Sequence, residues 1–166
     1  DASGNILIAD TYVPRPVIWK FNPSTGDLTI LYLGLANALA IAKSGTAYFR
    51  VAGSIWKLVG ASATLVAGST ATGYADGTGA AALFGNSGHI AVDDAENIYV
   101  ADTDSDTVRQ VTPAGVVTTL AGKQGVDGFG TGPTPQVLDH PSGVAVSGVN
   151  LFISMPSAVG VLLDRP

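Results

Sequence analysis

Carboxylates at alternate positions are the clearest chemical feature of the chain. The run Asp102-Thr-Asp-Ser-Asp-Thr107 presents Asp102, Asp104 and Asp106 within one short segment. Oxygen donors at that spacing suit a hard cation such as calcium. The remainder of a calcium loop is missing: its sixth position is Thr107 in place of glycine, and its twelfth is Pro113 in place of a bidentate glutamate. The preferred reading is therefore no cofactor, with calcium at Asp102, Asp104 and Asp106 as the alternative. A solvated loop in which Asp102 accepts backbone hydrogen bonds explains the same residues.

His89 and His140 are the only histidines. Zinc, copper or general-base chemistry would require a third ligand or convergent carboxylates. Only Asp139 is near in sequence, so both are read as structural. Asp93, Asp94 and Glu96 make an acidic turn, which turn chemistry alone accounts for. There is no Gly-x-Ser-x-Gly elbow and no Gly-Lys-Ser/Thr phosphate loop. The glycine-rich stretch 125–132 opens no long helix, which argues against phosphate binding. No catalytic or metal-ligating set is assigned. Trp19 and Trp56, each followed by lysine, hold matching places in two repeats, and Arg109 holds that place in a third. Repeated aromatics suit stacking on a sugar or peptide, although packing between sheets is the simpler role.

Composition narrows the class of protein. Only 13% of the 166 residues are charged and 46% are hydrophobic, so much of the surface is expected to be covered by neighbouring repeats or another chain. The net charge is −5 and the eight basic residues are scattered, which excludes a counterion-releasing nucleic-acid surface. No run of eighteen apolar residues exists, so no transmembrane segment is expected. Absence of cysteine rules out disulfides and thiolate chemistry. It is compatible with a secreted, periplasmic or extracellular location without fixing one.

The elements that must position these residues recur along the chain. Ile6, Ala47, Ile98 and Leu151 open four similar apolar runs, each preceded by a Gly/Asn/Asp/Ser turn, at steps of 41, 51 and 53 residues. Such steps fit units of four strands. In the third unit the strands are predicted at 89–92, 97–101, 107–112 and 116–121, with Pro113-Ala114-Gly115 as the last turn. The run Ile98-Tyr-Val-Ala101 is apolar throughout, which predicts burial on both faces. Long connections at 68–88 and 122–143 share Asp-Gly, then Thr-Gly, then an apolar residue: Asp76-Gly77-Thr78-Gly79 with Phe84, and Asp127-Gly128 with Thr131-Gly132 and Leu138. The stretch 80–84 suits one helical turn with Thr78 as its cap.

Val116-Val-Thr-Thr-Leu-Ala-Gly122, Gly73-Tyr-Ala-Asp-Gly-Thr-Gly-Ala-Ala-Ala-Leu-Phe84, Pro141-Ser-Gly-Val-Ala-Val146 and Asn97-Ile-Tyr-Val-Ala-Asp-Thr103 with Arg109 together resemble the NHL repeat. The first unit repeats Ile8-Ala-Asp-Thr11, whereas Val51 and Met155 replace the aspartate in the second and fourth, and His89 stands where Gly143 does in the next unit. The resemblance implies an all-β fold, a β-propeller of four-stranded antiparallel blades. Counting strands gives an incomplete propeller of about three and a half blades and fourteen strands: a partial blade at 1–34, blades at 35–68 and 69–122, and a partial blade at 123–166. An open ring leaves unpaired edges and apolar faces. Further blades, from a longer polypeptide or a second copy, are expected to complete it.

Propellers host binding modules and enzymes alike. The reading preferred here is a non-catalytic scaffold that binds protein or glycan within a larger assembly. The alternative is part of a lyase- or lactonase-like propeller enzyme whose metal ligands come from other blades. The loops at 10–15, 102–106 and 155–157 are equivalent and should share one face, with Tyr12 and Arg15 as the foremost contact residues.

Overall fold

Short β-branched and aromatic runs separated by Gly, Asp, Asn and Pro turns leave the backbone one economical arrangement, the antiparallel ladder. The computed structural model describes residues 1–12, 14–126, 128, 130 and 137–162. Sheet 1 holds β1 (Ile6–Asp10), β2 (Val17–Phe21) and β3 (Leu28–Leu33). Sheet 2 holds β4 (Ala38–Ile41), β5 (Ala47–Val51), β6 (Ser54–Val59) and β7 (Ser62–Gly68). Sheet 3 follows the same order with β9 (Ile90–Val92), β10 (Ile98–Asp102), β11 (Thr107–Val111) and β12 (Val116–Gly122), and β8 (Gly77–Thr78) pairs outside β12. Sheet 4 holds β13 (Gly143–Ser147), β14 (Asn150–Ser154) and β15 (Val159–Leu162). The described residues thus form fifteen strands where the sequence suggests about fourteen, the addition being the two-residue β8.

The helical turn is displaced from its expected position. It is a 3-10 turn at Gly79–Ala81, and Thr78 stands at its N-terminus without a side-chain capping bond. Leu83 is held instead by a pair of backbone hydrogen bonds with Ala75, which stops the turn short of Phe84. Asp127, Thr131 and Gly132 lie outside the described residues.

Neighbouring sheets stack face to face with a constant sense. In sheet 2, Ala47 and Phe49 pack toward sheet 1 whereas Tyr48 packs toward sheet 3. In sheet 3, Ile98 and Val100 pack toward sheet 2, and Tyr99 packs toward sheet 4, where Leu151 and Ile153 meet it. Strand β10 is consequently buried along its whole length, as its unbroken apolar run predicts. The matching residues of β1 differ. Ile6 and Ile8 are 51% and 43% exposed because no sheet covers that side, and Leu28 and Ile30 lie exposed on β3. On sheet 4 the far side exposes Phe152 and Val161.

Two local devices recur. The pairings of β2 with β3, β6 with β7 and β11 with β12 slip at Ile18/Trp19, Ile55/Trp56 and Val108/Arg109, one bulge at the same place in three sheets. A bulge there sharpens the local twist and re-aims the side chain that follows. The fourth strands of sheets 2 and 3 both close on Ala-Gly. Gly68 and Gly122 have φ of 83° and 86°, and a Cβ would stand 2.1 Å from the Gly53 carbonyl oxygen and 2.0 Å from that of Asp106. Only glycine meets both demands without displacement.

Candidate functional site

Asp102 ends β10, at the point where the third sheet meets the long connection preceding it. Its side chain is fully buried, as are those of Arg50 and Arg109. Its Oδ1 accepts the Gly85 N–H at 2.8 Å and lies 3.5 Å from Arg50 Nη2, while Oδ2 lies 3.5 Å from Arg109 Nη1. Arg50 projects from β5 of the preceding sheet and also donates to the carbonyl oxygens of Ala52, Gly85 and Ser87. Arg109 reaches Asp76 Oδ1 at 2.5 Å through Nη2 and donates to the Ala75 carbonyl at 2.8 Å. Its guanidinium also lies over the rings of Tyr74 and Phe84. Burial pushes the Asp102 carboxyl above the usual carboxylate range, opposed by Arg50, the Gly85 amide and Arg109. Burial lowers the Arg50 guanidinium, against the pull of Asp102 and Asp104.

The other two aspartates of the run face different partners. Asp104 is exposed and accepts from the Asn86 N–H at 2.7 Å and from the Ser87 hydroxyl, which together hold its carboxyl below the usual range. Asp106 is buried in the left-handed region at φ 55° and accepts the His140 N–H at 3.2 Å. The alternating spacing therefore serves three separate anchoring contacts to the connections on either side of the third sheet. Among the described residues, no group of three or more His, Cys, Asp or Glu side chains is placed to hold a metal ion.

The histidines part company. His140 Nδ1 lies 3.0 Å from Asp139 Oδ1 and 3.5 Å from Asp106 Oδ1, so its contacts are with the loop that carries it and with the Asp106 turn. His89 is exposed and lines a cleft between sheets 3 and 4 with Ser142, Val144 and Ser154. Its carbonyl accepts the Ala101 N–H at 3.0 Å and its own N–H donates to Ser142 at 3.2 Å, tying the two sheets together. Trp56 stacks on Phe49 at 6.4 Å between ring centres and donates Nε1–H to Ser54 Oγ, which is the packing role. Tyr12 is 77% exposed, with its N–H held by Asp10 Oδ1 at 3.0 Å, and Arg15 is exposed in the same loop.

The acidic turn before β10 divides its work. Asp93 Oδ1 accepts the N–H groups of Ala95 and Asn97, as Asp1 does for Ser3 and Asn5 in the first unit. Glu96, in the left-handed region at φ 63°, reaches across to sheet 2. It accepts the hydroxyls of Ser44 and Tyr48, each at 2.6 Å, and lies 3.3 Å from Lys57 Nζ. The Ser44 and Tyr48 hydroxyls and the Lys57 charge lower the Glu96 carboxyl to about 2, against some burial, and burial beside Glu96 pushes the Tyr48 phenol up.

A carboxyl depressed on folding stabilises above its unfolded value of 4.5, and that contribution is lost as pH falls toward 2. Glu96→Gln should therefore cost about 1–2 kcal/mol at pH 7, the scale of a charge-assisted hydrogen bond. Urea titrations of both proteins should show the gap narrowing below pH 4.5 and closing near pH 2. A gap independent of pH would mean that the charge of Glu96 does not contribute.

Arg50 is an anchoring residue outside every motif, and Asp76 and Glu96, which the sequence places in a connection motif and an acidic turn, anchor as well. An arginine inside the run Ala47-Tyr-Phe-Arg-Val51 was the available signal for the first, since a guanidinium in a fully buried strand requires a carboxylate partner.

No protein-family model matches the chain, and no curated protein sequence does. Solved structures do. An auxiliary nutrient binding protein from Bacteroides thetaiotaomicron superposes with a TM-score of 0.77 at 19% identity, over 96% of this chain and 46% of that one. An auxiliary nutrient binding protein from Bacteroides ovatus gives 0.66 at 25% identity, over 90% and 45%. Virginiamycin B lyase from Staphylococcus aureus gives 0.58 at 10% identity, over 96% and 52%. The chain spans about half the length of each. Among the described residues no helix is long and apolar enough to cross a membrane. Four stacked antiparallel sheets, unclosed and matched in this way, make the chain an incomplete β-propeller.

Proposed function

We propose that the chain is a non-catalytic propeller scaffold of NHL-type repeats, presenting its loops to a protein or glycan within a larger assembly. The observation that carries this reading is the Asp102 network. The charged groups inside the blades are engaged in holding sheets and connections together, whereas the loop after β1 places Tyr12 in solvent. The likeness to the nutrient binding proteins supports the same direction. Further blades would cover the apolar outer sides of sheets 1 and 4.

A propeller enzyme of lyase or lactonase type is the second reading. It is favoured by His89, exposed in its cleft between two sheets, and by the likeness to the lyase.

The test is a screen of the chain on glycan and protein arrays, followed by affinity measurement on the retained ligand. Tyr12→Ala combined with Arg15→Ala should weaken binding about tenfold or more, the scale of an interface anchor. The melting temperature should not move, since both side chains are exposed. Unchanged affinity would remove these two residues from the interface.

A further inference from the structure

The connection between sheets 2 and 3 closes over the outer edge of sheet 3 as a strap. Gly77 and Thr78 of β8 pair with Val117 and Val116 of β12, and the Gly79 N–H donates to the Gly115 carbonyl at 2.9 Å. Asp76 is its charged attachment. Oδ1 accepts from Arg109 Nη2 at 2.5 Å and from Arg109 Nε and Thr119 Oγ1, each at 3.1 Å. Oδ2 accepts the Thr119 N–H at 3.1 Å. The Tyr74 hydroxyl stands 2.9 Å from Thr119 Oγ1, and its ring lies against the Arg109 guanidinium.

The residue after Asp76 gives this attachment a chemical weakness. Gly77 bears no side chain to shield its nitrogen, and a backbone nitrogen so placed can close on the preceding aspartyl carboxyl. Gly77 N attacks Asp76 Cγ: the N–Cγ bond forms, one Cγ–O bond breaks, and that oxygen leaves as water with the carboxyl and amide protons. Water then opens the five-membered imide. Addition at Cγ restores aspartate, whereas addition at the Asp76 main-chain carbonyl breaks its bond to Gly77 N and leaves the chain running through Cγ. Nothing is oxidised or reduced, and the mass is unchanged. In the closed strap both carboxyl oxygens are held, and the one that must leave has to give up Arg109 or Thr119 first. Gly77 is also fixed, between β12 and an Ala81 backbone that a Cβ at Gly77 would meet at 3.3 Å.

We infer that Asp76 is a latent modification site, at which isoaspartate forms from the opened strap and then keeps it open. The isoaspartyl form has one methylene more in its main chain and one fewer between chain and carboxylate. That carboxylate cannot regain Arg109 and Thr119 while Gly77 and Thr78 keep their register on β12. A reversible opening thereby becomes a lasting release of the β12 edge, whatever the loops of the opposite units bind.

The full chain, kept warm at neutral pH either folded or in concentrated urea, is digested and its Asp76 peptide resolved into aspartyl and isoaspartyl forms. Isoaspartate should accumulate about tenfold or more slowly in the folded chain, where only the opened fraction reacts. Tyr74→Ala leaves every Asp76 partner in place, yet should raise the folded rate about threefold or more, in step with faster hydrogen exchange at the Gly79 amide. In the isoaspartyl fraction the Gly79 amide should have lost its protection while the amides of β5 keep theirs. Equal rates with and without urea overturn the inference, as does an Asp76 that stays aspartyl in urea. A Gly79 amide still protected in the isoaspartyl fraction overturns it too, and so does faster exchange in Tyr74→Ala without faster isomerisation. The comparison with urea and the Gly79 measurement use the unaltered sequence, so they decide the matter even where Tyr74→Ala does not fold.

Discussion

Replacing Asp102 with alanine should lower the free energy of unfolding by about 3–5 kcal/mol, the range for removing one partner from a buried charge pair. The arginines do not suffer equally. Arg109 keeps Asp76 at 2.5 Å, whereas Arg50 is left with carbonyl oxygens within 3 Å and only the weaker, more distant pull of Asp104. The Gly85 N–H also loses its acceptor. Asp102→Asn should recover only part of the loss, because an amide restores that acceptor and not the charge. Combining Asp102→Ala with Arg50→Met should be less damaging than Asp102→Ala alone, since it removes the uncompensated guanidinium together with its partner. Urea unfolding of the four proteins decides the matter. A loss below about 1 kcal/mol for Asp102→Ala, no larger than an exposed pair supplies, would show that the buried network is not what joins sheets 2 and 3.

The second large effect is steric. Gly122→Ala should destabilise by about 2–4 kcal/mol, combining the left-handed backbone cost with overpacking against a carbonyl. The added methyl would meet the Asp106 oxygen at 2.0 Å and the Thr107 Cα at 2.8 Å, both backbone atoms held by the adjoining strand. Gly45→Ala separates the two causes. Its φ of 88° is similar, yet no atom lies within 4 Å of its added Cβ. It should therefore show the conformational cost alone, about 1–2 kcal/mol. Equal changes in thermal stability at the two positions would mean that the Asp106 backbone yields to the methyl.

The strands of the third unit were readable because turn residues and apolar runs declare themselves locally. The burial of β10 follows from Ile98-Tyr-Val-Ala101 alone. The exposure of Ile6 and Ile8 does not follow from β1, whose sequence is equally apolar. Burial there depends on a neighbouring sheet, and a strand carries no record of whether that neighbour is present. The same limit applies to the site. The aspartates at 102, 104 and 106 invite a common ion when read in line, yet each is engaged by a residue or backbone group seventeen or more positions away on at least one side. Glu96 looked like turn chemistry, and its partners Ser44, Tyr48 and Lys57 lie in the preceding sheet. The two-residue β8 leaves no trace in the sequence, because two residues carry no periodicity.

The constant sense of sheet stacking gives the chain a direction, like a polymer whose every link joins a head to a tail. Each joint draws on the same pair of unlike faces, so free energy accumulates by nearest neighbours. Among the described residues, sheets 2 and 3 each take part in two such joints, and sheets 1 and 4 in one each. Duplicating a whole unit between them would lengthen the array without requiring a new kind of joint. Copy number is thus a variable that this architecture can change by gene duplication, while a substitution on a single shared face alters only the joint it belongs to.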